Sequence, residues 1–405
     1  MIYTKKEVLQ YVSEEDVKFI RLAFCDALGN QKNISIMPDE LEKAFEYGIG
    51  IDASAIKGFG GNVHSDLLLF PEPSTLVVLP WRPAHGRVVR MFCSILYPDG
   101  KPFELDSRRI LKESVKYAFD KGYTFSFGSE FEFYLFEQND NGSPSSVPFD
   151  NAGYMDIAPM DKGENIRREI CLTLEQMGIK PESSHHEEGP GQNEIDFRFS
   201  DPVSAADNAV TFLSVVKTIA ARNGLCADFS PKPIPDKPGN SFHINLSVQS
   251  LKNGSEKDLF FGIVAGIMNR ISEMTVFLNP AENSYLRLGK DKAPKFVSWS
   301  HENRSQLIRI PAASDKYKRF ELRSPDPFAN PYIAFALIIH AVLEGIEGKE
   351  KPPEESDKDL FALSCGEQEN YEKLPETLLQ AKQKAAAGKF VNKVLPEKII
   401  NFYCK

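Results

Sequence analysis

Apolar and polar residues alternate with a period of two in several segments near the start of the chain, which is typical of β-strands. The clearest are residues 17–25 and residues 89–95, and residues 75–79 form a short run of β-branched residues and leucine. A short helix is predicted for residues 38–47, because Pro38 suits the first turn of a helix. These elements predict a small α+β unit within residues 1–105.

The pattern of apolar and polar residues changes near residues 98–100. Asp106 or Ser107 is expected to cap a helix that stops at Gly122. We therefore place a domain boundary between residues 1–105 and residues 106–405. Further helices are predicted at residues 165–177, 205–222, 258–273 and 331–347, and exposed loops at residues 138–148 and 348–359.

Four predicted strands of the second domain carry charged residues on one face. In residues 128–136 alternate side chains share a face, so Phe131 and Phe133 oppose Glu130 and Glu132. The polar faces of the other three strands carry Glu194, Asp196 and Arg198; His243, Asn245 and Ser247; and Arg319, Glu321 and Arg323.

Taken one at a time, these strands have an ordinary explanation, a half-exposed sheet with a solvated polar face. The choice of residues favours a site, because clustered carboxylates repel one another and raise each other's pKa unless a cation lies between them. Oxygen ligands with an occasional imidazole suit Mg²⁺ or Mn²⁺. Neighbouring arginines suit phosphate or carboxylate. The combination indicates phosphoryl transfer.

Two further segments fit this chemistry. In HHEEGPGQNE a Pro-Gly turn follows Glu187 and brings it back toward Glu194, and NRSQLIRIP adds Arg304 and Arg309. The adjacent histidines of the first segment are most simply structural. The sequence has neither a GxxxxGK[ST] loop nor a strand–GxGxxG–helix pattern, so it supports neither a P-loop nor a Rossmann site.

Composition limits the classes of partner. The chain has 405 residues, 42% apolar and 26% charged, which is typical of globular proteins. Its formal net charge of −9 argues against nucleic acid or an anionic membrane as the main partner, while local arginine clusters still allow anionic small molecules. The N-terminus lacks the apolar core of a signal peptide. The six scattered cysteines predict reduced thiols and a cytoplasmic location.

Ordered motifs extend from about residue 17 to about residue 379. They are VKFIRLAFCDALGNQKN, IDASAIKGF, GSEFEFYLF, DNAGYMDIAPMDKGENIRREI, HHEEGPGQNEIDFRF, NSYLRL, NRSQLIRIP and RFELRSPDPFANPYIAFALI. In these motifs the chain resembles the glutamine synthetase family, bacterial type I class.

The resemblance implies an α+β protein with a β-grasp-like N-terminal domain and a catalytic domain whose curved antiparallel sheet is flanked by helices. It implies homo-oligomeric rings, usually dodecamers, with each active site shared between neighbouring subunits. The implied reaction of nitrogen metabolism uses ATP to phosphorylate the γ-carboxylate of glutamate, after which ammonia displaces phosphate to give glutamine.

The resemblance also implies roles for individual residues. Arg304 and Arg309 resemble arginines that stabilise the transferring phosphoryl group, and Arg304 is also expected to contact ATP. Asp52 resembles the aspartate that deprotonates ammonium across the subunit interface. The implied ligands of two Mg²⁺ or Mn²⁺ ions are Glu132, Glu187 and Glu194 for one ion and Glu130, His243 and Glu321 for the other. The residues implied to contact the nucleotide are Ser247 and Arg319. The residues implied to bind glutamate are Gly239, Arg287 and Arg323.

The chain departs from the family pattern around the two small substrates. Pro238 replaces an asparagine of the glutamate loop, and Ser241 replaces a glycine. The flap after Arg287 is one residue shorter, and Lys292 stands where the family has a glutamate, with Asp291 beside it. Three functions stay open: a glutamate–ammonia ligase, a γ-glutamyl ligase for an organic amine or polyamine, and a non-catalytic regulatory or structural member.

Overall fold

The computed structural model describes residues 3–61, 65–83, 85–252, 255–313 and 318–405. The chain divides into two compact units. The first comprises Met1–Ile110 and Leu172–Ile179, and the second comprises Leu111–Cys171 and Lys180–Lys405.

The first unit is built on a six-stranded sheet with the order β2-β1-β6-β4-β3, in which β5 also pairs with β6. Strands β1 and β6 are parallel, and the other pairs are antiparallel. The elements are α1 (Lys5–Glu14), β1 (Val17–Cys25), β2 (Gln31–Ile36), α2 (Leu41–Tyr47), β3 (Ile49–Asp52), β4 (Asp66–Pro71), β5 (Val77–Val78) and β6 (Arg87–Leu96).

The strands predicted at residues 17–25 and 89–95 are confirmed. The strand predicted at residues 75–79 is largely wrong, because only Val77 and Val78 pair with β6. Pro73 starts a 3₁₀ turn there, and Thr75 Oγ1 donates a 2.7 Å hydrogen bond to the carbonyl oxygen of Glu72, which closes the turn. A proline that fixes φ and a hydroxyl that satisfies a backbone acceptor together shorten the strand.

The second unit contains a nine-stranded, mostly antiparallel sheet with the order β13-β14-β15-β12-β7-β10-β9. The longest strand, β7, also pairs with β8 and β11. The strands are β7 (Tyr123–Gln138), β8 (Pro144–Pro148), β9 (Pro181–His186), β10 (Gln192–Ser200), β11 (Leu225–Asp228), β12 (Phe242–Ser250), β13 (Trp299–His301), β14 (Ile308–Ile310) and β15 (Phe320–Leu322).

The four strands predicted to have a polar face are confirmed as β7, β10, β12 and β15. Their apolar side chains form the core: Phe131 is fully buried, and its ring stacks on Phe242 at 4.2 Å between centroids and contacts Phe212 at 5.3 Å. Because side chains alternate along a strand, burying these phenylalanines turns the charged residues of all four strands to the opposite face.

The remaining helices are α3 (Ser107–Asp120), α4 (Glu164–Gln176), α5 (Pro202–Arg222), α6 (Glu256–Met268), α7 (Ile271–Leu278), α8 (Ser284–Arg287), α9 (Pro331–Glu347), α10 (Cys365–Gln368), α11 (Leu378–Ala387), α12 (Lys389–Val394) and α13 (Glu397–Cys404). Of these, α5 packs on β7, β10 and β11, and Phe335 of α9 stacks on Phe127 of β7.

The single helix predicted for residues 258–273 is wrong, because α6 and α7 meet at a bend of 65°. Arg270 lies at the break, where it donates a 3.1 Å hydrogen bond to the carbonyl oxygen of Gly266 and a 2.9 Å bond to Glu344. The side chain thus satisfies a carbonyl at the end of α6. No single helix in the described part of the chain is long and apolar enough to span a membrane, although the bent pair α6–α7 reaches that length and composition.

The exposed loop predicted for residues 138–148 is also partly wrong. A turn closed by the 2.9 Å bond from Asn139 N to the carbonyl oxygen of Ser143 leads into β8, which pairs with β7. Gly142 has φ +77°, which permits this turn. The loop predicted at residues 348–359 is confirmed as irregular backbone.

Helices α6 and α9 pack through glycines. A Cβ atom added to Gly345 would lie 2.1 Å from the carbonyl oxygen of Gly262 and 2.6 Å from the Cα of Gly266. Backbone therefore approaches backbone directly, and neither helix can move aside without disturbing the core beneath it.

We predict that Gly345→Ala lowers the free energy of unfolding by about 1–3 kcal/mol, as expected for an overpacked core. Helix propensity alone would favour alanine by about 1 kcal/mol, so the two effects have opposite signs. Urea titration measures the change. Gly366→Ala is the matched control, because a Cβ there meets no atom within 4 Å. Equal stability of Gly345→Ala and the wild type would show that the helices can separate.

Candidate active site

The polar faces of β7, β10 and β12 form the wall of a cavity of about 520 Å³ in the second unit. The site residues predicted from the sequence that line it are Glu130, Glu132, Glu187, Glu194, Gly239, His243, Arg287, Arg304, Arg309, Arg319 and Arg323. Carboxylates, an imidazole and arginines therefore share one enclosed space.

Strand register brings the carboxylates together. Glu132 on β7 lies opposite Glu194 on β10, and Glu130 lies opposite both Asp196 on β10 and His243 on β12. Ligand-capable atoms of Glu130, Glu194 and His243 lie within 4.8 Å of one another. The same separation holds for a second group that shares Glu194, formed with His185 and Glu187.

This crowding raises the pKa of several carboxyl groups. Burial and then the charge of Glu132 raise the pKa of Glu187 to about 8. Burial and then the charge of Glu130 raise the pKa of Asp196 to about 8. Burial, followed by Asp196 and Glu132, raises the pKa of Glu194 well above its ordinary value. The cluster contains more negative charge than its surroundings balance, which is the condition that a bound cation relieves.

The donor set fits a divalent cation. Asp196 Oδ1 is buried and has no hydrogen-bond partner among the described residues. Such an oxygen is costly unless a ligand satisfies it. Carboxylate oxygens with one or two imidazole nitrogens match the preferences of Mg²⁺ and Mn²⁺.

Glu321 lies behind the cavity wall and is 1% exposed. Its Oε2 accepts a 2.7 Å bond from Arg309 Nη1, its Oε1 pairs with Arg323, and His243 Nδ1 is 3.6 Å away. Burial opposes ionisation, but Arg323, His243 and Arg309 together lower the pKa of Glu321 to about 2. Because both oxygens are engaged by guanidinium groups, a metal-ligand role for Glu321 requires an arginine to change partner.

Arg287 is fully buried at the base of the cavity. Its Nη1 donates to the carbonyl oxygen of Ser324 at 2.8 Å, and its Nη2 donates to Ser241 Oγ at 2.8 Å. A Cβ on Gly239 would lie 2.9 Å from Arg287 Cγ and 2.4 Å from the carbonyl oxygen of Pro231, so only glycine fits. Arg287 Nε is buried without a hydrogen-bond partner among the described residues, which suits an anionic ligand.

Ser247 does not line this cavity. It lines a second cavity of about 490 Å³ together with Ser126, Arg198 and Phe199, and Arg319 lines both cavities. Arg319 Nε donates a 3.0 Å hydrogen bond to the side-chain oxygen of Asn245. The two predicted nucleotide contacts, Ser247 and Arg319, therefore share the second cavity.

Asp52 belongs to the first unit and is not among the residues that line either cavity. It is exposed, and its Oδ1 accepts a 2.9 Å hydrogen bond from the backbone N–H of Ser54. Hydrogen bonding to Ser54 lowers the pKa of Asp52.

The two adjacent histidines differ in surroundings. His185 lines the cavity and its Nε2 lies 3.1 Å from Glu194 Oε1, whereas His186 is fully buried. His186 Nε2 lies 2.9 Å from Asp150 Oδ1, and Nδ1 lies 2.7 Å from the carbonyl oxygen of Glu187. Both partners are acceptors, and although burial opposes it, the hydrogen bonds to Asp150 and to the Glu187 carbonyl raise the pKa of His186.

Asp150, Asp161 and His186 also form a tight acidic cluster. Asp161 is paired with Arg167, and the hydrogen bond from His186 lowers the pKa of Asp150 to about 2 although burial opposes it. Arg167 and His186 already engage both carboxylates, which favours a structural role for the cluster. It fixes the backbone at Glu187, beside the cavity.

Several cavity residues have no site role predicted from the sequence. Gln192 Nε2 donates to the carbonyl oxygen of Gly239 at 3.1 Å, and Ser241 N donates to Glu132 Oε2 at 2.7 Å. Asp196 was predicted only to lie on the polar face of its strand, which is the signal that places it in the cavity. Tyr154, by contrast, lies in an irregular segment that has no periodic signal.

The flap, residues 288–294, contains a tight turn. Lys292 lines the cavity, pairs with Glu188 and lies 5.8 Å from the centre of the Tyr154 ring. Asp291 pairs with Lys232 at 2.8 Å. The flap therefore presents the Lys292 ammonium, paired with Glu188, at the position where the family has a carboxylate.

Comparisons with known proteins agree with this geometry. Residues 16–98 match the family model "Glutamine synthetase, beta-Grasp domain", and residues 104–405 match "Glutamine synthetase, catalytic domain". The chain is 43% identical to a glutamine synthetase of Methanosarcina mazei over 416 positions, covering 99% of this chain and 92% of the relative. For a glutamine synthetase of Clostridium saccharobutylicum the identity is 42%, with 99% and 93% covered.

Solved structures are similar as well. One titled "GmaS/ADP complex-Conformation 1" superposes with a TM-score of 0.88 at 28% identity and covers 98% of this chain and 93% of that one. The α+β fold class, a β-grasp N-terminal domain with a catalytic domain, is confirmed.

We predict that divalent cations stabilise the protein more at about pH 8.5 than at about pH 6. The raised pKa values of Glu187 and Asp196 mean that the folded chain binds more protons than the unfolded chain between their ordinary values and about pH 8. These two carboxyl groups therefore stabilise the folded chain most at a pH below their ordinary pKa values. This stabilisation is lost as the pH rises to about 8. A bound cation restores it by neutralising the carboxylates.

Melting temperatures with and without MnCl₂ at both pH values test this prediction. Asp196→Asn and Glu187→Gln should each reduce the difference. Glu175→Gln, which removes an exposed carboxylate from α4, is the matched control. A cation effect independent of pH in the wild type would contradict the assignment.

Proposed function

Because this chain belongs to the glutamine synthetase family, we propose that it is an ATP-dependent ligase that joins ammonia to the γ-carboxylate of glutamate through γ-glutamyl phosphate, and that it falls in the bacterial type I class. The observation that carries the proposal is the single cavity in which a carboxylate and histidine cluster faces a group of arginines. The proposal keeps residues 1–105 as the β-grasp-like domain and residues 106–405 as the catalytic domain.

The carboxylate cluster would hold two Mg²⁺ or Mn²⁺ ions. Bound cations of this kind neutralise phosphate oxygens and polarise the transferred phosphoryl group. The proposed ligands are Glu132, Glu187 and Glu194 for one ion and Glu130, His243 and Glu321 for the other.

The arginines would bind the anionic groups. Arg304 and Arg309 stabilise the phosphoryl group in transit, because guanidinium groups match its oxygens. Arg287, next to Gly239, holds the α-carboxylate of glutamate, and Arg323 holds the γ-carboxylate. The buried Nε atoms of Arg287, Arg309 and Arg323, which lack partners among the described residues, support these assignments.

ATP would occupy the second cavity, where Ser247 and Arg319 contact the nucleotide. Arg319 lines both cavities, which supports transfer from one to the other. Asp52 would deprotonate ammonium at the site of a neighbouring subunit, so we propose ring-shaped oligomers, most simply dodecamers. The cytoplasm is the proposed location, consistent with the free state of the cysteines.

One observation favours a second candidate, a γ-glutamyl ligase for an organic amine. Lys292 places an ammonium group at the cavity, where it repels a small cation. An amine with an apolar substituent could gain contact with Tyr154 instead of close carboxylate oxygens. A non-catalytic role is disfavoured, because an unused cluster of carboxylates would only destabilise the fold.

Phosphate release from ATP with glutamate and a panel of amines, including ammonium at matched free-amine concentration, tests the proposal. We predict glutamate-dependent release with ammonium. Lys292→Glu should lower the Michaelis constant for ammonium about tenfold, because a carboxylate at a few ångströms attracts the cation that lysine repels.

Lys292→Gln is the control that removes the lysine charge without adding a carboxylate, and it should show a smaller decrease. Better turnover with an organic amine than with ammonium would favour the second candidate. Rapid turnover with ammonium that neither substitution changes would show that Lys292 lies outside the amine site.

The shared site makes a separate prediction. Asp52→Ala and Arg304→Ala should each inactivate the enzyme. Mixing the two variants should restore part of the activity, because some interfaces then combine an intact Asp52 with an intact Arg304. Size-exclusion chromatography and activity assays of each mixture check this. A fully active isolated monomer would contradict it.

A further inference from the structure

Lys232 is a buried lysine at the start of the glutamate loop, residues 231–241. Its side chain is 3% exposed, and its ammonium donates hydrogen bonds to the carbonyl oxygen of Lys237 at 2.6 Å and to Asp291 Oδ2 at 2.8 Å. A buried ammonium is strongly unfavourable unless it is paired and hydrogen-bonded. These two contacts account for the burial of Lys232.

The two partners belong to different segments. Lys237 lies in the glutamate loop, whereas Asp291 lies at the tip of the flap. Asp291 has φ +54°, which is uncommon for a residue other than glycine. The flap turn is closed by backbone bonds from Gly289 N to the carbonyl oxygen of Ala293 at 3.1 Å and from Ala293 N to that of Lys290 at 2.9 Å. The ion pair therefore holds a compact turn by its tip.

The glutamate loop is itself braced against the rest of the cavity wall. Asn240 Nδ2 donates to the carbonyl oxygens of Asp228 and Ser230 at 3.1 and 3.0 Å. Gly239 packs on Arg287, and the carbonyl oxygen of Pro238 accepts a 2.7 Å bond from the Tyr134 hydroxyl. The ion pair between Lys232 and Asp291 therefore connects the flap to a part of the cavity wall that is itself held by hydrogen bonds.

We propose that Lys232 is a positioning residue that holds the flap closed over the glutamate site through Asp291. The pairing also occupies the Asp291 carboxylate, so this carboxylate is engaged by Lys232 and not free to bind an amine in place of the family's flap glutamate. The expected effect on glutamate binding rests on the proposed function, whereas the contact that holds the flap in place does not depend on it.

Hydrogen exchange of the flap amides, residues 289–293, tests the contact in the full chain. Asp291→Ala and Lys232→Gln should each accelerate exchange about 10- to 100-fold, as expected for loss of a hydrogen bond between charged groups. The double variant should match the single variants, because both substitutions break the same contact. Asp291 is 40% exposed, and in Asp291→Ala the Lys232 ammonium keeps its hydrogen bond to the Lys237 carbonyl, so this variant should fold even if Lys232→Gln does not.

Steady-state kinetics give the functional readout. Asp291→Ala should raise the Michaelis constant for glutamate about tenfold with a smaller change in kcat, because a loosened flap weakens binding before chemistry. Asp236→Asn and Lys237→Gln are matched controls, since both side chains are exposed on the same loop and the Lys237 carbonyl is retained. They should leave both measurements unchanged.

Unchanged flap exchange in Asp291→Ala would overturn the proposal, as would additive effects in the double variant. Faster exchange with an unaltered Michaelis constant would also overturn it, because the flap would then not act on glutamate. If exchange accelerates but the wild type itself does not turn over glutamate, the ion pair stands as the flap fastening and the proposed function fails.

Discussion

Repulsion among the carboxylates of neighbouring strands is the constraint on which the rest of this site depends. Glu130 and Glu132 on β7 face Asp196 and Glu194 on β10, and burial prevents water from screening them. Such an arrangement persists only because the phenylalanines on the opposite face keep the strands in register. Packing of the phenylalanines on one face of the sheet thus keeps the carboxylates together on the other face, and their repulsion favours a bound cation.

The arginines beside the acidic cluster do not neutralise its carboxylates. Arg309 and Arg323 are directed to Glu321, whose pKa they lower, and not to the carboxylates with raised pKa values. His186 is hydrogen-bonded to Asp150 and not to the carboxylates of the cluster. The acidic cluster therefore remains unbalanced while Arg309 and Arg323 are paired with Glu321, which leaves separate acidic and basic regions in one cavity.

The period-two pattern of apolar and polar residues predicted the four strands and the residues on their polar faces. It could do so because a sheet with one buried face requires apolar and polar side chains to alternate along each strand. It failed where side chains override local propensity: Arg270 ends α6, and Thr75 closes a turn inside an apparent strand. It also could not find Tyr154 or the partner of Asp291, since contacts between irregular loops leave no trace in spacing. Sequence could name Lys292 as a departure, but only the structure shows that Glu188 pairs with it.

Strand β7 is hydrogen-bonded to β8, β10, β11 and β12, so one continuous strand fixes the register of most of the sheet. Deleting a single residue near its middle would exchange inward and outward positions for everything beyond it, driving Glu132 into the phenylalanine layer and Phe131 into water. No neighbouring strand could compensate, because each is aligned to the same template. A change of length should therefore be tolerated only in the turns at the ends of the sheet and in segments such as the flap, which can change without moving the carboxylate cluster.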